Sequence, residues 1–127
     1  MISGYLWMLT GEFQHFLDEK GRLAVPAKIR NELGSCEIWI TKGAERCLYG
    51  FSQTEWKNVG KRISSNSSVF NSRDRMIRRR FVAPAVELEI DRNGRILIPQ
   101  SLREYADLKK DCTIIGMGEY LEIWDTA

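Results

Sequence analysis

The chain has 127 residues, a mass of 14.7 kDa, 43% hydrophobic and 28% charged residues, and a net charge of +2. These values describe one compact domain, or two small halves sharing a core, and argue against disorder. No apolar run approaches the roughly 18 residues that span a bilayer. A single histidine excludes any poly-histidine metal site, and three cysteines (Cys36, Cys47, Cys112) without a C-x-x-C pair argue against a disulfide framework or zinc knuckle.

The small net charge hides an asymmetry. Residues 1–56 carry −1, residues 57–82 carry +7 and residues 83–127 carry −4. A basic middle of this kind suits a polyanionic partner, a solvated helix face or an inter-subunit surface.

Met1 to Met8 has no basic n-region and no long apolar stretch, so no signal peptide is expected and an intracellular protein is the default. Phe13, His15 and Leu17 alternate with Gln14, Phe16 and Asp18, which predicts a half-buried strand with His15 as a packing residue on its apolar face. Gly21 supplies a turn, Arg22 to Val25 a short strand, and Pro26 the start of a short helix that Gly34 ends. Ile38-Trp39-Ile40 and Leu48-Tyr49 read as two further strands around Gly43.

Ser52 to Glu55 is a capping box that opens a helix with Trp56, Val59 and Ile63 on one face. The serine-rich run from Ser64 to Ser68 reads as a break. Helical character resumes from Asn71 to Val82, with Arg78-Arg79-Arg80 the densest charge run, and must end before Pro84.

From Val86 the pattern of the first segment returns. Leu17-Asp18-Glu19-Lys20-Gly21-Arg22-Leu23-Ala24-Val25-Pro26 aligns with Ile90-Asp91-Arg92-Asn93-Gly94-Arg95-Ile96-Leu97-Ile98-Pro99 at an offset of 73 residues, and Ile29-Arg30 aligns with Leu102-Arg103. The strands Thr113-Ile114-Ile115 and Leu121 to Trp124 close the second copy as Ile38 to Tyr49 close the first. A unit of this size cannot bury a two-sided sheet alone, so the copies are expected to interleave about a pseudo-two-fold axis. Cys36 and Cys112 precede the later strands at similar places and read as small buried apolar residues. Trp39, Trp56 and Trp124 read as core or interface.

The twin D-x-x-G-R elements are the most informative motif. Glycine bends the chain, the aspartate (Asp18, Asp91) accepts hydrogen bonds from turn N–H groups, and the arginine (Arg22, Arg95) offers a planar fork that fits phosphate or a guanine edge. An intramolecular Asp–Arg pair that merely fixes the hairpin is the plain alternative. Two such loops on one surface would grip successive segments of a duplex.

These elements, with Met8 to Phe13 and the closing Leu121-Glu122-Ile123-Trp124-Asp125, resemble the MraZ family over about residues 8–125. The resemblance implies a mainly β, α+β fold: two tandem swapped-hairpin AbrB/MazE-like repeats forming one pseudo-two-fold, barrel-like domain. The implied division is an extension at 1–7, a first repeat at 8–51, inter-repeat helices at 52–82 and a second repeat at 83–127. It further implies a bacterial regulator of the division and cell-wall gene cluster, cytoplasmic and nucleoid-associated, that assembles into a homo-oligomeric ring and binds direct repeats in promoter double-stranded DNA. Carried over to this chain, Arg22, Arg95, Lys20, Asn93 and Arg92 become the DNA-contacting residues, and Asp18, Gly21, Asp91 and Gly94 shape the loops. Arg92 stands where the first copy has Glu19, so the two loops need not make equal contacts.

No catalytic, metal or cofactor residues are expected. The chain has no G-x-S-x-G, H-E-x-x-H or P-loop, and arginine neighbours would hold both aspartates ionised. An AbrB/MazE-like protein-binding or antitoxin-type module is the second reading. It is disfavoured because such proteins carry one copy of the fold and a disordered tail.

Overall fold

The computed structural model describes residues 8–66 and 68–127, so the extension at 1–7 lies outside the described residues. The first copy supplies β1 (Glu12–Phe16), β2 (Arg22–Ala24), α1 (Ala27–Leu33), β3 (Glu37–Lys42) and β4 (Leu48–Phe51). α2 (Gln53–Asn66) and α3 (Ser72–Ile77) follow, α3 running directly into a π-helical turn at Arg78–Val82. The second copy repeats the first arrangement with β5 (Val86–Glu89), β6 (Arg95–Leu97), α4 (Gln100–Tyr105), β7 (Asp111–Gly116) and β8 (Leu121–Asp125).

The strands form a six-stranded antiparallel sheet in the order β1-β7-β8-β4-β3-β5 and a two-stranded ribbon of β2 and β6. Exchanging each strand with its counterpart reverses the sheet order and leaves it unchanged. Each copy's first strand pairs with the other copy's third: β1 with β7, and β5 with β3. The axis runs through the ribbon at Leu23↔Ile96 and through the sheet at Tyr49↔Glu122, both pairs 73 residues apart. The predicted interleaving is therefore a strand exchange, and neither copy has a complete sheet without the other.

Strand alternation places Ile38, Ile40, Leu48, Cys112, Ile114, Leu121 and Ile123 in the core, where Leu23 and Ile96 from the ribbon and Ile29 and Leu102 from α1 and α4 also lie. Both short helices begin just after a proline that serves as cap residue, Pro26 or Pro99, rather than as the first helical residue. Both end on a left-handed residue, Gly34 (φ 74°) closing α1 and Asp107 (φ 53°) following α4 at the equivalent position.

The opposite face of β3 and β4 carries aromatic residues. Trp39 stacks on Trp56 of α2 at 5.3 Å and donates its indole N–H to Gln53. Phe51 lies 5.4 Å from the Trp56 ring, and Phe81 stacks on Tyr49. The Thr41 hydroxyl donates to the Phe81 carbonyl at 2.6 Å. The inter-repeat segment is thus fastened to the first copy's half of the sheet. Trp124, on the second half, is partly buried and donates to Glu122.

Three expectations need correction. α2 continues through Ser64 and Ser65 to Asn66, because serine at a helix end costs little, and the Ser65 hydroxyl folds back onto the Arg62 carbonyl. Only half of the capping box forms. Ser52 accepts the Glu55 N–H, whereas the Glu55 carboxylate accepts from Asn58. Cys36 is exposed, while Cys112 is buried and burial pushes its thiol up to about 11. The stretch from the start of α4 to the start of β7 is one residue longer than that from the start of α1 to the start of β3, so Cys112 corresponds to Ile38 and not to Cys36. His15 is partly buried on the strand face it was expected to occupy.

Leu23 is fully buried at the axis. Leu23→Ala is expected to cost about 2–5 kcal/mol, read from the shift in the urea denaturation midpoint.

Candidate nucleic-acid interface

Each D-x-x-G-R element forms a tight turn closed by its own aspartate. In the first, Asp18 Oδ1 accepts the backbone N–H groups of Lys20 and Arg22, both at 2.9 Å, and Gly21 N–H donates to the Asp18 carbonyl. In the second, Asp91 Oδ1 accepts from Asn93 and Arg95 at 2.8 and 3.0 Å, and Gly94 N–H donates to the Asp91 carbonyl. Gly21 (φ 87°) and Gly94 (φ 76°) take the left-handed conformation that lets the turn close. The backbone N–H of Arg22, followed by its guanidinium, holds the Asp18 carboxyl below the ordinary value, and the backbone N–H of Arg95 does the same for Asp91.

The turns are tied to each other. Val25 N–H donates to the Gly94 carbonyl at 2.8 Å, and Ile98 N–H donates to the Gly21 carbonyl at 2.9 Å. An arginine from the other copy's helix then packs over each turn glycine. Arg103 of α4 lies across Gly21 and donates to the Ile98 carbonyl. Arg30 of α1 lies across Gly94 and donates to the Val25 carbonyl. A Cβ at either glycine would strike that guanidinium. Both glycines are therefore fixed by backbone angle and by close approach.

Arg22 and Arg95 meet at one carboxylate. Arg22 Nε donates to Asp18 Oδ2 at 2.7 Å, and Arg95 Nη1 lies 3.6 Å from the same oxygen. Arg95 is less tied to its own aspartate. Its Nε lies 3.9 Å from Asp91 Oδ2 and makes no hydrogen bond. Lys20, Arg92 and Asn93 are exposed on the two turns. The structure thus brings Asp18, Arg22 and Arg95 together at the ribbon and sets Lys20, Arg92 and Asn93 on the flanking turns.

Three residues belong to this surface although the motif does not name them. Arg30 and Arg103 buttress the turns, and the Ile29-Arg30/Leu102-Arg103 match is the sequence signal for them. Leu97 pairs with Arg22 across the ribbon and is 57% exposed. Its signal is the alternation that buries Ile96 and turns Arg95 and Leu97 outward. Arg80 of the basic run is engaged within the chain, donating to the Ala44 carbonyl and Tyr105 hydroxyl, while Arg79 is exposed. No helix among the described residues is long and apolar enough to cross a membrane.

Compared with known proteins, the chain matches the family described as "MraZ protein, putative antitoxin-like" over residues 8–80 and again over 81–127. It is 49% identical over 117 residues to a Treponema denticola protein named Transcriptional regulator MraZ, covering 92% of this chain and 81% of that one. Proteins of the same name from Treponema pallidum and Acetivibrio thermocellus are 46% and 47% identical, over 93% and 94% of this chain and 79% and 82% of theirs.

The turn geometry yields two expectations. Gly94→Ala should cost about 1–2 kcal/mol from the backbone angle alone and more from the Arg30 contact, measurable by denaturant unfolding. Both aspartates have folded-state pKa values below 3.8, so their contribution to stability is present above that value and lost as pH falls through the lowered ones. Asp18→Asn should lower the neutral-pH Tm and flatten the acid-side decline. A Tm-against-pH curve matching wild type would contradict the turn's dependence on that charge.

Proposed function

Because the chain belongs to the MraZ family, we propose that it is a DNA-binding transcriptional regulator that reads direct repeats in the promoter of the division and cell-wall gene cluster. The observation that carries this reading is the pair of D-x-x-G-R turns, cross-tied at one ribbon, with Arg22 and Arg95 at their junction. The outward ribbon positions Arg22, Ala24, Arg95 and Leu97 combine guanidinium donors for phosphates or base edges with small and apolar side chains for sugars or thymine methyls. Lys20, Asn93 and Arg92 flank them as backbone contacts, and Asp18 and Asp91 shape the turns rather than touch DNA.

The family reading also supplies a homo-oligomer, a ring of subunits, each taking one repeat, so that affinity is built from several weak contacts. Val69, Phe70 and Met76 are exposed on the inter-repeat segment, at 57%, 89% and 56%, beside the exposed Arg73, Arg75 and Arg79. That mixed apolar and basic surface suits a neighbouring subunit, with Glu87 and Glu89 of the next copy as partners for the arginines.

Fluorescence anisotropy with labelled DNA from the gene's own upstream region, against a scrambled duplex, tests the reading. The native fragment should bind preferentially, with affinity falling steeply as salt rises. Arg95→Ala should cost about 1–3 kcal/mol and relax sequence preference. Equal weak binding to both duplexes would leave only a basic surface and favour the protein-binding alternative. Arg79→Glu should shift the oligomer distribution in sedimentation velocity, and an unchanged profile would remove that residue from the interface.

A further inference from the structure

The two D-x-x-G-R turns share a backbone design and differ in their surroundings. Beside the second turn lies an open cavity of about 320 Å³, lined by Arg30, Ser35, Cys36, Ile90 and Arg92 together with Gly94. Asp91 also borders it, but Asp91 Oδ1 is already directed into its own turn by the N–H groups of Asn93 and Arg95.

Two substitutions between the copies distinguish this flank. Ser35 corresponds to Leu108 at the offset of 73 residues, and Leu108 is buried in the core cluster. A serine at this position is smaller and brings a hydroxyl, which donates to the Glu37 carbonyl at 3.2 Å and must turn from it to reach a ligand. Arg92 corresponds to Glu19, so the same change of copy replaces an anion with a cation. Arg30 is partly buried and its one recorded hydrogen bond goes to the Val25 carbonyl. Among the described residues neither Arg30 nor Arg92 forms an ion pair with a carboxylate.

We infer that this cavity is a phosphate site, in which the guanidiniums of Arg30 and Arg92 and the hydroxyl of Ser35 receive one phosphate group, and that the second turn is consequently the main anchor of the protein on DNA. The inference rests on the DNA-binding reading above for the source of that phosphate, a backbone group of the duplex. Arginine is suited to the task because its planar fork presents paired donors to phosphate oxygens. A partly buried guanidinium without a carboxylate gains more from an incoming anion than an exposed one. The same asymmetry appears at the ribbon, where Arg22 Nε is held by Asp18 at 2.7 Å while the buried Arg95 Nε lies 3.9 Å from Asp91 Oδ2 and makes no hydrogen bond. Glu19, by contrast, would repel phosphate from the first turn.

Anisotropy titrations of the native upstream duplex across a salt series, with wild type, Arg92→Ala, Ser35→Leu and Glu19→Ala, test the site. Arg92→Ala should weaken binding roughly tenfold and reduce the salt slope by about one. Ser35→Leu leaves the charge unchanged and installs the residue the second copy carries at the corresponding position, so it should also weaken binding. Glu19→Ala should bind at least as well as wild type. Calorimetric titration of wild type and Arg92→Ala with inorganic phosphate separates the two sources of the ligand. Weakened duplex binding without saturable phosphate heat assigns the site to DNA backbone, whereas saturable heat lost in Arg92→Ala assigns it to free phosphate as well; either supports the site. Wild-type affinity and slope in both Arg92→Ala and Ser35→Leu, with no saturable phosphate heat, overturns it. Should the wild type bind no duplex at all, the DNA reading fails and the phosphate titration alone decides the cavity.

Discussion

At the β2–β6 ribbon each copy of the repeat completes the other. Leu23 and Ile96 face each other at the pseudo-two-fold axis, and on either side a strand-end N–H reaches the turn glycine carbonyl of the opposite copy. Two three-residue strands would be marginal as an isolated hairpin. Here their inward side chains are fully buried against the six-stranded sheet and the two short helices, so the ribbon inherits the stability of the whole core. The motif turns then need no extensive packing of their own. Each is closed by one carboxylate, crossed by one arginine from the other copy, and anchored to the axis.

This arrangement explains why the repeat lies in one chain with a long insertion. Strand exchange requires each copy to reach across the other, and the inter-repeat segment carries the chain from β4 to β5 over the outer face of the sheet. The stacked Trp39–Trp56 pair and the Thr41–Phe81 hydrogen bond fasten that segment to β3, and Arg80 ties it to Tyr105 of α4. The strand pairing of the ribbon is symmetric, whereas its Asp–Arg contacts are unequal, one copy is covered by helices and the flanks of the two turns carry different residues.

Much of this was legible in the sequence, because the repeat and the alternation are both local patterns. The D-x-x-G-R match at constant offset located the turns, and the period-two pattern around Leu88 and His15 located the outer strands. The partner of each strand was not legible. Nothing in the order of residues says that β1 pairs with β7, since the hydrophobic pattern of a strand specifies a face and not a neighbour. The Cys36 expectation failed for a related reason. A one-residue insertion between α4 and β7 changes the offset from 73 to 74 for β3 and β7, before β4 and β8 return to 73, and a motif-anchored alignment does not register it. Arg30 and Arg103 were visible as matched residues, but their contact with the opposite copy's glycine exists only once the copies have crossed.

The two readings of the Asp–Arg pair, a structural fastening or a contact for nucleic acid, prove compatible once the atoms are counted. An arginine has five N–H donors, and fastening Arg22 to Asp18 occupies the Nε hydrogen. The four N–H groups of the terminal nitrogens are not used by that hydrogen bond and are left for a phosphate or a guanine edge. The carboxylate therefore orients the arginine and lowers the conformational entropy that binding must remove, while its negative charge opposes the approach of DNA. Asp18 bears on both arginines, at 2.7 Å from Arg22 and 3.6 Å from Arg95, so order and repulsion are balanced unequally across the axis. Arg22 is the more tightly held of the two, by one short hydrogen bond, whereas Arg95 lies at longer range from two carboxylates. Arg95 stands in the copy whose flank carries Arg92 in place of Glu19.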